Sequence, residues 1–336
     1  MSESRHRREP GTLPRPLATL LALTLAGGTG VAVWLLPATA EPQQTAAPRK
    51  TMPATPSPTP TQQARMAGPK TFLTFVDTAR HPGFDLAADA RRSGVEWYSL
   101  GHLVAGGDGC QPRWSGGLAP GGNQVANRIG RLRAGGADAG LAFGGPDGRE
   151  LAAACTRPDA LLAAYRRMTG AFDPSYVDFE IHDSTDTATV RRRALAIKEL
   201  QKDSPLRVGF TLPLQPTGLS DADAAMLRAT REAGAGIATV DLLATLEPRT
   251  APAGRLHRVA DAVKAAQRQI ARALDLGDSD AWHRIGLTSV LASSSDLNEV
   301  EAGKLAGFSD KHALAWLSLR GAQPPPAVAQ LLWRAG

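Results

Sequence analysis

The chain has 336 residues, with 38 Lys and Arg against 32 Asp and Glu, a formal charge of +6, and two cysteines. Seven of the basic residues and three of the acidic ones fall in the first 68 positions, so the remainder is nearly neutral. No basic run there is interleaved with aromatic residues, which argues against nucleic acid as a partner, and the roughly 268 residues left suit one large domain or two small ones.

Residues 1–16 carry Arg5, Arg7, Arg8 and Arg15, and an uncharged apolar run follows from Leu17 to Leu36. Pro37-Ala38-Thr39-Ala40 then offers a small-x-small cleavage site, so residues 1–40 read as a secretory signal. The run is also just long enough to span a bilayer, and a retained membrane anchor is the equal alternative. In either case the rest of the chain is exported, touching a membrane only through residues 17–36. Residues 41–68 are rich in Pro, Thr, Ala and Gln. Such a composition cannot build a core and predicts an extended, semi-rigid linker.

From residue 69 to 336 the pattern changes to apolar runs alternating with amphipathic stretches. The runs Thr71–Val76, Val95–Val104, Ala137–Phe143, Tyr176–Ile181, Leu206–Leu212, Ile237–Leu243, Ile285–Leu291 and Ala313–Leu319 read as strands. Helical patterns follow near 84–93, 122–134, 158–169, 187–203, 220–233, 255–276, 297–308 and 326–334. Strand–helix repeated eight times predicts an α/β fold, a single-domain (β/α)8 TIM barrel with functional residues at the carboxyl ends of its strands. A monomer is expected. Cys110 and Cys155 both follow the export segment, and an even count in an oxidising compartment predicts a disulfide at the barrel's carboxyl end, with two free thiols as the alternative.

One stretch sets the chemistry: Tyr176-Val177-Asp178-Phe179-Glu180-Ile181-His182-Asp183. Strict alternation puts Asp178, Glu180 and His182 on one face of a strand and Val177, Phe179 and Ile181 on the other. Three ionisable groups along one face of an apolar strand are costly unless they border a pocket, although a solvated edge strand shows the same alternation. The seven histidines have no metal spacing and no phosphate loop is present, so neither a metal nor another cofactor is expected.

This stretch resembles the fourth barrel strand of glycoside hydrolase family 18, the chitinase family, whose signature is Asp-x-x-Asp-x-Asp-x-Glu. Val76-Asp77-Thr78, Gly109-Cys110-Gln111-Pro112-Arg113-Trp114, Phe143-Gly144-Gly145, Glu150-Leu151-Ala152-Ala153-Ala154-Cys155-Thr156 and Phe210-Thr211-Leu212-Pro213 are similar to its actinobacterial branch. The likeness runs from about residue 72 to 320. It implies a scaffold in which the sugar's own N-acetyl oxygen attacks the anomeric carbon, so the protein supplies one strong general acid and groups that hold the acetamide. In register with the signature, Asp178 keeps the middle acid, Glu180 stands for the last Asp, and His182 stands where the catalytic Glu belongs. Ser175 falls on the first Asp.

The resemblance implies further departures around the same pocket. Ala142 lacks the hydroxyl that would support the acidic row from the preceding strand. Leu246 and Glu247 replace the Asp-Tyr pair that positions the acetamide, and Glu247 regains a carboxylate there only by a one-residue shift. Leu317 holds the slot of the floor tryptophan, and Trp316, one residue earlier, is expected outside the barrel. Trp114, in a Gly-rich mouth loop, is then the candidate for stacking on a sugar, with loop packing as its alternative. Gln215, Asp241 and Glu247 are the candidate polar contacts. His182 either donates a proton, favoured in its charged form by Asp178 and Glu180, or sits in a polar network without turnover. The expectation is an exported chitinase-like domain, catalytically weak or inactive, that binds an N-acetylglucosamine-type glycan or another cell-surface ligand at its mouth. An active glycosidase on N-acetylglucosamine polymers, with His182 as acid, is the alternative, and a partner-binding envelope protein is a third.

Overall fold

The computed structural model describes Pro69 and residues 71–333. The export segment and linker expected for residues 1–68 lie outside the described residues. The strands are β1 (Thr71–Phe72), β2 (Thr74–Asp77), β3 (Trp97–Ala105), β4 (Pro112–Trp114), β5 (Asp138–Gly144), β6 (Tyr176–Glu180), β7 (Arg207–Pro213), β8 (Thr239–Thr245), β9 (Ile285–Leu291) and β10 (Trp316–Gly321). Their order is β1-β10-β9-β8-β7-β6-β5-β3-β2, parallel throughout, with β4 a short antiparallel addition to β3. Because β1 and β2 are one strand interrupted at Leu73, pairing of β1 with β10 and of β2 with β3 closes an eight-stranded barrel. The (β/α)8 expectation holds.

The helices are α1 (Leu86–Ser93), α2 (Ile129–Ala134), α3 (Leu151–Ala154), α4 (Pro158–Phe172), α5 (Thr187–Asp203), α6 (Asp221–Glu232), α7 (Arg255–Leu274), α8 (Asp278–Trp282), α9 (Glu299–His312) and α10 (Pro326–Trp333). Side chains of Asp85, Asp186, Ser220 and Asn298 accept backbone N–H bonds at the starts of α1, α5, α6 and α9. Each such cap contributes about 1 kcal/mol by satisfying a donor that the helix itself cannot. At α9 the cap is reciprocal, since the Glu301 carboxylate accepts from the Asn298 backbone.

Strand alternation sorts the residues into two layers. Phe143, Phe179 and Phe210 face outward in a stack, 5.4 and 5.7 Å between successive ring centroids, and Tyr165 of α4 meets the first two edge-on. The inward floor is Leu73, Trp97, Tyr176 and Trp316, with Tyr176 and Trp316 in T-shaped contact at 5.8 Å. Small residues make room for them. A Cβ at Gly209 would overlap the Tyr176 hydroxyl, and one at Gly286 would lie 2.4 Å from Trp316 Nε1. Trp316 is therefore inside the barrel, a correction to the outward placement expected from its offset of one residue. Its facing is set by the space over Gly286, which the alternation of β10 alone does not reveal.

Candidate functional site at the barrel mouth

The acidic row of β6 rises from this floor. Tyr176, Asp178 and Glu180 share the inward face, and all three are buried. Asp178 accepts from Thr211 Oγ1 of β7 at 2.6 Å and lies 3.3 Å from the Tyr176 hydroxyl. Thr211 thus provides, from the following strand, the supporting hydroxyl that Ala142 cannot. Burial pushes the Asp178 carboxyl up to about 7, Thr211 working against the shift and Asp241 with it. Asp241 sits in the same interior on β8, where Thr288 donates to it at 2.6 Å, and burial raises it as well.

Glu180 is different. Burial opposes its charge, but the Arg320 guanidinium and hydrogen bonds from His102 and His182 overcome that penalty and hold its carboxyl well below the usual range. Arg320 Nη1 is 2.6 Å from Oε2, His102 Nε2 is 2.8 Å from the same oxygen, and His182 Nε2 is 3.2 Å from Oε1. Glu180 and His102 are each 3% exposed and the Arg320 side chain 13%, whereas that of His182 is 44% exposed. A carboxylate held in its ionised form by three donors is poorly suited to give a proton. The half-exposed member of the cluster is His182, just past the end of β6.

Phe75 of β2 completes the cluster. The Arg320 guanidinium carbon lies 3.7 Å from its ring centroid, and the His102 ring lies 4.9 Å from it. Gly145 lets His102 into this place. Its φ is +89°, and a Cβ there would fall 2.4 Å from the imidazole ring. The Gly144-Gly145 pair therefore serves packing as well as the turn.

The remaining candidates separate. Trp114 is fully buried, its indole N–H donating to the Pro120 carbonyl at 3.1 Å and its ring packed edge-on against Phe172. It has no free face for a sugar, so stacking is corrected to core packing. Asp241 is enclosed within the barrel, 3% exposed, and does not reach the rim. Glu247 is exposed but paired with Arg258 of α7, whose hydrogen bond and charge lower its carboxyl. Leu246 is buried, so neither residue of that pair faces the mouth as a free polar group. Gln215 is exposed at the end of β7 in a tight turn closed by backbone bonds with Gly218. Cys110 and Cys155 form a disulfide with Cα atoms 4.7 Å apart, tying the β3–β4 loop to the end of α3.

Sequence reasoning missed His102 and Arg320. Arg320 stands four residues after Trp316 and shares its inward face, but the alternation of β10 alone does not fix that facing. His102 carries no signal in simple alternation. Trp97 faces inward and Tyr98 outward, where its hydroxyl donates to Asp89 of α1, so position 102 should face outward too. The pairing of β3 with β5 is irregular between Leu100 and Leu103, and that irregularity turns His102 inward.

No family model matches the chain. A probable bifunctional chitinase/lysozyme of Escherichia coli is 30% identical over 190 residues, which is 53% of this chain and 21% of that protein. Endochitinase 11 of Metarhizium anisopliae is 28% identical over 189 residues, 53% of this chain and 35% of that one. The chain thus spans well under half the length of either relative. Among solved structures, catalytic-site mutants of active domain 2 of the Pyrococcus furiosus chitinase superpose with a TM-score of 0.68 at 21% identity, covering 79% of this chain and 94% of that one. With the closed parallel barrel, these likenesses show that the chain has the (β/α)8 fold of the chitinases it is similar to.

Proposed function

We propose that this is an exported chitinase-like domain that binds a glycan at its mouth and hydrolyses it weakly or not at all. The observation that carries the reading is the state of Glu180, buried and held by Arg320, His102 and His182. The acid that the family's chemistry requires has an imidazole in its place. Export is supported by the basic and apolar character of residues 1–36 and by the Cys110–Cys155 disulfide, a bond that persists in oxidising compartments. Incubation of the full chain with chitin oligosaccharides, read by mass spectrometry, is expected to release no shorter products. Products that appear with the native chain and vanish with His182→Ala overturn the reading.

A second reading is an active glycosidase with His182 as acid. It is favoured by the exposure of that ring just past the end of β6, where it is free to meet a substrate. The same incubation separates the two.

A further inference from the structure

Phe75 and Asp77 are two residues apart on β2 and share the inward face, with Asp77 one rung nearer the mouth. Phe75 is half-buried, and Gly101 of β3 gives its ring room, since a Cβ there would fall 2.6 Å from the ring edge. An ionised carboxylate at low exposure beside an aromatic face is a receptor for a cation, because Coulomb attraction and the ring quadrupole act on the same guest. In this structure the guest is the protein's own Arg320, on Phe75 at 3.7 Å and on Glu180 at 2.6 Å.

That guest fits incompletely. Arg320 Nε is buried without a partner, and so is His102 Nδ1 beside the same ring. Buried polar atoms left unpaired oppose the arrangement that leaves them so. Asp77 adds a second carboxylate on the approach, bonded to the backbone of its own turn and to the largely exposed Arg80. Of the pair expected to address an acetamide, Leu246 is buried and Glu247 is held by Arg258. The seat is made for positive charge.

We propose that the mouth takes a cationic amino-sugar polymer, glucosamine units with free amines, whose ammonium group displaces the Arg320 guanidinium from Glu180 and Phe75. This rests on the reading that the mouth binds a glycan. It adds that the favoured glycan is de-N-acetylated, with Arg320 as the intramolecular competitor.

Isothermal titration of the full chain with glucosamine hexamer and N-acetylglucosamine hexamer, near neutral pH, tests it. The cationic hexamer is expected to bind roughly tenfold tighter at low ionic strength, with the preference shrinking as salt is added. Arg320→Met, which keeps length and removes the competing charge, tightens the cationic hexamer and leaves the acetylated one within about twofold. Phe75→Leu, which spares the buried ion pair, weakens the cationic hexamer selectively and keeps the test available if Arg320→Met does not fold. Adding Glu180→Gln to Arg320→Met abolishes the preference. An acetylated hexamer that binds the wild-type chain as tightly as the cationic one overturns this inference and leaves glycan binding standing. If neither hexamer binds the wild-type chain or any variant, both readings fall.

Discussion

Asp178→Asn gives the sharpest test of the electrostatics inside the barrel. Burial pushes this carboxyl up to about 7 in the folded chain, while an unfolded chain returns it to about 3.9. A folded pKa above the unfolded one means the native state holds a proton that the unfolded state gives up. The stability this contributes is complete below about pH 4 and is lost as pH rises toward about 7. Three pKa units at 1.36 kcal/mol each amount to about 4 kcal/mol. Asparagine cannot ionise, yet it keeps an oxygen to accept from Thr211 and an amide toward the Tyr176 hydroxyl. The variant should therefore match the wild type near pH 4 and exceed it by up to about 4 kcal/mol above pH 7. Glu180 shifts the other way, its stabilisation lost as pH falls, but it is common to both chains and cancels in the difference. Urea unfolding followed by circular dichroism at stepped pH measures that difference. Parallel pH profiles for the two chains, or an Asn variant that is weaker at pH 8, would refute the assignment of Asp178 as a proton-holding group.

The other predictions concern the seal over that row. Arg320→Ala leaves Glu180 as a buried charge with imidazoles for company and should lower stability by about 3–5 kcal/mol in thermal or urea unfolding; a loss below about 1 kcal/mol would mean that solvent already reaches the carboxylate. Gly145→Ala drives a Cβ into the His102 ring at a φ of +89° and should destabilise by about 1–3 kcal/mol, read by urea unfolding. Reducing the Cys110–Cys155 bond, whose partners are 45 residues apart, should cost about 4 kcal/mol in the loop-entropy account, seen as a lower thermal midpoint in reductant. His182→Glu alone should yield no turnover of chitin oligosaccharides, because Arg320 and His102 still occupy the Glu180 oxygen they share; release of products would refute that account of the Glu180 contacts.

The barrel was legible because its strands are buried on both faces and spaced by helices with readable caps. Ile285–Leu291 falls on β9 residue for residue, and 187–203 falls on α5. Where boundaries moved, local chemistry moved them. The eighth strand was expected over Ala313–Leu319, but α9 runs on to His312 and Ala313 takes a left-handed conformation to end it, so pairing begins at Trp316. The short β4 and the one-turn helices α3 and α8 span three to five residues, too few to show a period.

The site was legible in one half and hidden in the other, and the division follows from how each face is fixed. On β6 the identities of Asp178 and Glu180, set against three apolar neighbours, specify which side is inward, because no barrel would turn that set around. On β10 the sequence Trp316-Leu317-Ser318-Leu319-Arg320 allows either facing by composition, and only the space over Gly286 decides that Trp316, and with it Arg320, points in. On β3 an irregular register overrides alternation altogether and delivers His102. Both hidden residues end on one oxygen of Glu180. A strand read by itself shows which acids a barrel has kept. Whether those acids remain free to react depends on groups carried in by other strands, and that is decided by pairing register and by the glycines that open space opposite.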